Sequence, residues 1–231
     1  FGWAGREGDA SHQIFMRTCL NQTSCAQTLW EKYDTYRQRN LDVFENITAE
    51  AVDPMIGNGI VLLSESVEDN TTVVVVRNRL IDWDVSPKEM LQWQIYVHET
   101  LFGNDQQQEK GIIVVQDLRG FRLGHMWRIA RSGGLEMLRF FPHNFQTIFF
   151  VGEPWYFGPV WSFIRVLLPA RVQDAIVFLG EDGREELQAR LGGHASAVSS
   201  LLESDAEEAM VGERIGQFVC ELARHPVAVC V

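Results

Sequence analysis

The chain has 231 residues, enough for one large domain or a domain with an appended helical piece. Hydrophobic residues make up 46% and charged residues 22%, the ordinary globular range. The formal net charge of -11 excludes a nucleic-acid binder, which would present a basic face to phosphates, and a polybasic membrane anchor. The 14 Phe and 7 Trp are more apolar bulk than a core of this size requires, which fits either a generous core or an apolar cavity.

In chain order, the start Phe1-Gly-Trp-Ala-Gly lacks a basic region followed by an apolar stretch, so it is not a signal peptide, and without an initiator Met it reads as truncated. Gln13 to Leu20 and Ala26 to Arg39 carry apolar residues at helical spacing, with Leu29, Trp30, Tyr33 and Tyr36 on one stripe. A short helix is expected near Thr48 to Val52, ended by Pro54. From Gly57 the period changes. Ile60 to Leu63 and Val73 to Arg77 read as strands, and Ser86-Pro87 opens a helix to Leu101. Gly111 to Gln116 is a buried strand, and Leu123 to Phe141 one long helix. Thr147 to Val151 is a strand, Phe157 to Leu168 a helix, Ala175 to Leu179 a strand and Arg184 to Leu191 a helix. This alternation predicts crossover units and a largely parallel sheet. Residues 194–231 read as an acidic tail, helical from Glu207 to Arg224.

Motifs for chemistry are absent. There is no Walker loop, GxGxxG or GxSxG, and no histidine stands at metal-ligand spacing with another His or Cys. Cys19, Cys25, Cys220 and Cys230 form no CxxC pair, and the expectation is reduced thiols in a cytosolic protein. The triplets at Asn21, Asn46 and Asn70 read as chance matches to a glycosylation signal. Apolar surface stands where an enzyme places polar groups. From Glu153 to Leu168 the sequence is apolar almost all round, which suits a core helix or a lid with two apolar partners.

That segment, Gly152-Glu-Pro-Trp-Tyr-Phe157 ending Arg165-Val-Leu-Leu168, resembles the CRAL-TRIO lipid-binding family. Arg17 to Val52, Gly111-Ile-Ile-Val-Val-Gln-Asp-Leu-Arg-Gly120, Phe141-Pro142 before Ile148-Phe-Phe-Val151, and Gly192-Gly193 agree with it in order. The likeness runs strongest toward the tocopherol and retinaldehyde carriers. It implies an α/β fold: a helical segment over residues 1–55, then over 56–193 a mixed, largely parallel sheet flanked by helices, with a gate helix over a hydrophobic pocket. It implies a cytoplasmic, non-enzymatic carrier that touches membranes transiently and holds a hydrophobic ligand, with no cofactor.

Under that resemblance the pocket is lined by Ile112, Val114 and Gln116, by Ile148 and Phe150, by Phe121, Met137 and Phe141, and by Phe157, Val160, Trp161 and Ile164 of the gate. Gln116 is the one polar group among them. Trp155, Phe163, Arg165, Val166 and Arg171 are expected at the membrane or headgroup side. Ile112, Val114, His143, Val172 and Ala175 lack the hydroxyl, Glu, Thr and Lys groups with which phospholipid-exchanging members hold choline and inositol heads. Asn144, Gln146 and Ala175 are not basic, so a phosphoinositide is admitted as partner only through Arg171 and Arg165. The competing readings are an interaction module with a self-filled pocket, a phosphoinositide-dependent membrane module, and a small α/β hydrolase with dispersed catalytic residues.

Overall fold

The computed structural model describes residues 9–45, 47, 51–52, 60–63, 71–102, 109–180 and 183–203. Its centre is a five-stranded sheet in the order β1 to β5: β1 Ile60–Leu63, β2 Thr72–Arg77, β3 Ile112–Asp117, β4 Phe145–Val151 and β5 Ile176–Phe178. β1 pairs antiparallel with β2 at one edge, and β2 to β5 run parallel. Toward their middles the parallel strands are aliphatic or aromatic on both faces, as strands covered on both sides tend to be.

Helices α1 (Asp9–Thr18), α2 (Thr23–Arg39) and α3 (Leu41–Phe44) precede the sheet. The expected stripe holds: Leu29, Tyr33 and Tyr36 are buried and Trp30 is partly so. Phe15 and Phe141 pack on the Tyr33 ring at 5.6 Å each. The Tyr33 hydroxyl donates to Glu99 Oε1 at 3.1 Å, tying α2 to α4 (Pro87–Phe102). The expectation of reduced thiols is corrected at Cys19 and Cys25, which form a disulfide across Cα atoms 5.7 Å apart. The reason is the turn between α1 and α2. Leu20 and Asn21 adopt left-handed backbone (φ 50° and 62°), which reverses the chain and returns Cys25 alongside Cys19.

The expected long helix from Leu123 to Phe141 is also corrected. It divides into α5 (Leu123–Ser132) and α6 (Gly134–Met137), because Gly133 stands at φ +91° and ends α5. Gly134 lies so close to α4 that a Cβ would meet Gln94 Oε1 at 1.7 Å. α7 (Phe157–Ile164) and a 3-10 turn (Arg165–Leu167) follow β4, and Pro169 leads into α8 (Ala170–Ala175), a helix not expected from sequence. The strand predicted from Ala175 is therefore confined to Ile176–Phe178. α9 (Arg184–Leu191) and α10 (Ala195–Glu203) close the described chain. Arg190 of α9 stands over the Phe149 ring at 5.9 Å and α10 packs on β2, so these two cover the sheet face opposite α5 and α7. The helices expected at Thr48 to Val52 and Glu207 to Arg224 lie wholly or largely outside the described residues.

A polar knot anchors α10. Asp117, fully buried at the carboxyl end of β3, accepts from Arg119 Nε and Nη2 at 2.8 Å and from Arg79 Nη1 at 3.1 Å. Arg119 Nη2 also donates to the Leu202 carbonyl, and Arg77 Nη1 reaches that of Leu201 at 3.5 Å. Cations at the last carbonyls of a helix are favourable. Replacing Asp117 by Ala should leave the buried ends of these arginines uncompensated and lower stability by about 3 kcal/mol. Urea denaturation checks this, and a change near zero would show that the knot is dispensable.

Candidate functional site

Two rows of residues cross the sheet on one face. Val74, Val114, Ile148 and Ile176 are mutual partners in register, as are Val76, Gln116 and Phe150 one pleat further on. Alternate strand residues point to the same face, so all seven lie under α4, α5 and α7. They form the floor of a cavity of about 260 Å3. Trp93, Val97, His98, Leu101 and Phe102 of α4 make one wall, and Met126 and Ile129 of α5 another. Phe157, Trp161 and Ile164 of α7, at helical spacing, make the cover.

Of the twelve pocket residues expected from sequence, Val114, Gln116, Phe121, Met137, Ile148, Phe150, Phe157, Trp161 and Ile164 meet around this cavity. Three do not. Ile112 is fully buried at the amino end of β3, beside the register shift at Ile112/Ile113 and opposite Phe145, which takes the lining position. Phe141 is drawn into an aromatic group with Tyr33, His98 and His143. Val160 falls on the flank of the stripe, beyond Ile164 around the helix, and packs on the core instead of the cavity. Sequence reasoning placed β2 and α4 as elements but assigned no residue of either to the pocket. The alternation of Val74 with Val76 beside β3 was an available signal. For α4 an ordinary amphipathic pattern carried none.

The polar atoms in the lining are few. Gln116 Oε1 accepts from Asn78 Nδ2 at 3.2 Å, which leaves its own amide hydrogens free of partners among the described residues. Gln94 Oε1 is taken by the Ser132 hydroxyl at 3.4 Å. The Trp93 indole N–H is buried and has no hydrogen-bond partner among the described residues. Trp93 and Gln116 thus offer donors to a ligand oxygen.

The helix carrying the cover is pinned at its start. The Glu153 carboxylate accepts the Gly180 N–H at 2.9 Å, and the Tyr156 hydroxyl donates to the Phe121 carbonyl at 2.5 Å. Outside it, Trp155 is 93% exposed, Val166 68% and Leu167 40%, and Arg165 is exposed. The Phe163 side chain lies outside the described residues. Arg171 corrects the expectation of a headgroup residue. It is partly buried and donates inward to the Phe141 carbonyl at 2.7 Å, because α8 packs against β4 and turns it toward the aromatic group.

The comparisons with known proteins agree with this architecture. The family model of the CRAL/TRIO domain matches residues 58–193. The chain belongs to that family. It is 26% identical to Clavesin-1 of Rattus norvegicus over 187 residues, 77% of this chain and 52% of that protein, and 26% identical to Clavesin-1 of Xenopus laevis over the same share of this chain and 56% of that protein. The chain spans about half the length of the curated relatives it matches. The crystal structure of Sfh5 superposes with a TM-score of 0.54 at 12% identity, covering 92% of this chain and 81% of that one, and so shares the fold. Among the described residues no helix is long and apolar enough to cross a membrane, and no group of three His, Cys, Asp or Glu could hold a metal ion.

His98 of the cavity wall is backed by a second histidine, His143. His98 and His143 rings lie 4.8 Å apart, and Phe102, Phe141 and Phe145 enclose His143 at 5.0–5.4 Å. His98 Nδ1 lies 2.6 Å from the Gln94 carbonyl, which only accepts, so Nδ1 carries the proton and Nε2 is bare. Burial pushes His98 down to about 4, and burial, then His98 and Arg171, hold His143 well below the ordinary range. Glu99 is the opposing case, pushed up to about 7 by burial despite the Tyr33 hydroxyl.

The signs follow from linkage. A histidine kept neutral in the fold stabilises it fully above its unfolded value of about 6.5, and that stability is lost as pH falls toward the folded value. Glu99, held protonated in the fold, contributes stability at low pH that is lost between 4.5 and about 7. Two histidines outweigh one carboxyl, so the thermal midpoint should fall from neutral pH to about pH 5. His143→Phe should shrink that fall and leave the neutral-pH midpoint equal or higher. An unchanged fall on calorimetry would contradict it.

Proposed function

We propose that this chain binds one hydrophobic molecule of tocopherol, retinoid or similar lipid-like character in the cavity and carries it between membranes without chemistry on it. The observation that carries the reading is the cavity itself: two in-register rows of aliphatic and aromatic side chains facing three apolar helices, with a few polar atoms among them. Burial of apolar surface contributes roughly 25 cal/mol per Å2, so a hydrocarbon tail binds there without an ionic contact. Family membership and the Clavesin-1 likeness support the same reading. No cofactor enters it. The protein works in the cytoplasm and meets membranes transiently.

α7 is the gate in this reading. Phe157, Trp161 and Ile164 touch the ligand, while Trp155, Val166 and Leu167 present apolar surface outward to a bilayer. A phosphoinositide trigger through the residues that the resemblance implies has less support, since Arg171 is engaged inward.

Val114 sits mid-floor, between Val74 and Ile148. Val114→Trp should abolish uptake of a fluorescent apolar probe and keep helix content, since overpacking costs about 1–3 kcal/mol. Uptake that persists in the folded variant would show that the cavity is not the binding site.

Gln116 should choose among apolar ligands. With its oxygen held by Asn78, its amide hydrogens meet the ligand's hydroxyl or carbonyl oxygen. Gln116→Leu should weaken such a ligand by about 1–3 kcal/mol and spare its hydrocarbon analogue. Equal losses in a paired titration would rule the selection out.

A further inference from the structure

α5 has two unlike sides. Met126 and Ile129 face the cavity and Ser132 is buried. Arg122 at its start, Leu123, Trp127, Arg128 and Arg131 are exposed, Trp127 to 70%. A surface helix of a globular domain ordinarily gives water a wholly polar side. Here the outer side mixes Trp and Leu with arginines, the composition of a helix that lies in a membrane interface.

The charge around α5 opposes that of the whole chain. From Arg119 to Arg139 there are five arginines and one acidic residue, Glu136, in a protein of net charge -11. Glu136 is taken by Arg39, while Asp117 engages Arg119 and Asp84 engages Arg128. Arg122, Arg131 and Arg139 make no ion pair among the described residues. Screening confines such a field to about 10 Å, so an anionic surface held against α5 meets these arginines and not the distant acidic residues.

Position adds a third argument. α5 and α7 are two walls of the same cavity. They join where Tyr156 bonds the Phe121 carbonyl and where the Phe121 and Phe157 rings stand 6.3 Å apart. Trp155, the most exposed large hydrophobic residue described, is next to that joint.

We propose that α5 is a membrane-docking element in its own right: Trp127 and Leu123 enter the headgroup boundary of an anionic bilayer, and Arg122 and Arg131 pair with its lipid heads. What is delivered there rests on the carrier reading; the docking does not. An acidic protein would be met by the same charges, but it has no need of a tryptophan and a leucine standing free beside the mouth of an apolar cavity. With α5 and the gate both seated, the two walls of the cavity are held against the bilayer and a ligand passes between them without crossing water.

The test is sedimentation of the full chain with phosphatidylcholine vesicles, with and without phosphatidylserine, across a salt series. Wild type should prefer the phosphatidylserine vesicles and lose that preference as salt rises. Arg122→Gln with Arg131→Gln should weaken binding to them about thirtyfold, toward the level of phosphatidylcholine alone. Trp127→Ala should weaken binding severalfold to both. All three side chains are exposed, so the variants should keep the wild-type circular dichroism and take up an apolar probe normally in the absence of vesicles. Equal binding of wild type to both vesicles at every salt overturns the proposal. So does a double variant that sediments like wild type, which would hand the surface to an acidic protein. Loss of probe uptake in wild type with docking intact would instead defeat the carrier reading and leave α5 assigned.

Discussion

The structure depends on the register of four parallel strands. Because Val74, Val114, Ile148 and Ile176 are partners across the sheet, one face of the pleat carries an unbroken aliphatic row. A slip of one residue in any strand would turn its row to the opposite face and break the floor. The cavity is therefore a consequence of pairing, and the helices above it need only stand off far enough not to fill it. Gly133 and Gly134 serve that end by breaking the helix after Ser132, so that α5 and α6 take different directions over the floor.

Electrostatics is organised around one buried carboxylate. Asp117 sits where β3 leaves the sheet and gathers Arg79 and Arg119, and through Arg119 and Arg77 the end of α10. Unlike the cavity floor, this end of the sheet is polar and closed by ion pairs. The remaining arginines of that region, on and beside α5, face outward. A chain that is acidic in total thus carries a basic, tryptophan-bearing side next to its apolar mouth. The histidine pair has the opposite character: burial among phenylalanines favours the neutral form of both rings, with His98 in the cavity wall and His143 behind it.

Much of this was legible in residue order. The β-branched run Thr72–Arg77, the strand Ile112–Asp117 and the Glu153-Pro154 segment all lie where periodicity and resemblance put them. Nine pocket residues predicted from that pattern do meet at one cavity. The failures share a cause. Ile112 has the right parity but stands past the end of the cavity. Phe141 has the right helical spacing, but the helix breaks before it. Arg171 stands at the headgroup side under the resemblance, but its guanidinium donates to the Phe141 carbonyl inside. In each case the local pattern was read correctly and the deciding neighbour came from a distant element.

By itself the sequence determined the alternation of strand and helix, the apolar character of the sheet faces and the apolar segment from Trp155 to Leu168. Those follow from side-chain periodicity and from the lack of polar groups, which are local properties. Only tertiary structure decided that α4 walls the cavity, and that Arg171 turns inward while Arg122 and Arg131 make no ion pair among the described residues. Those outcomes depend on which surfaces meet, and a residue's burial and partners are set by chain that lies far from it in sequence: His98 and His143 are 45 positions apart. Net charge shows the limit most plainly, since a total of -11 says nothing of how charge is distributed, and the helix most suited to an anionic surface lies within it.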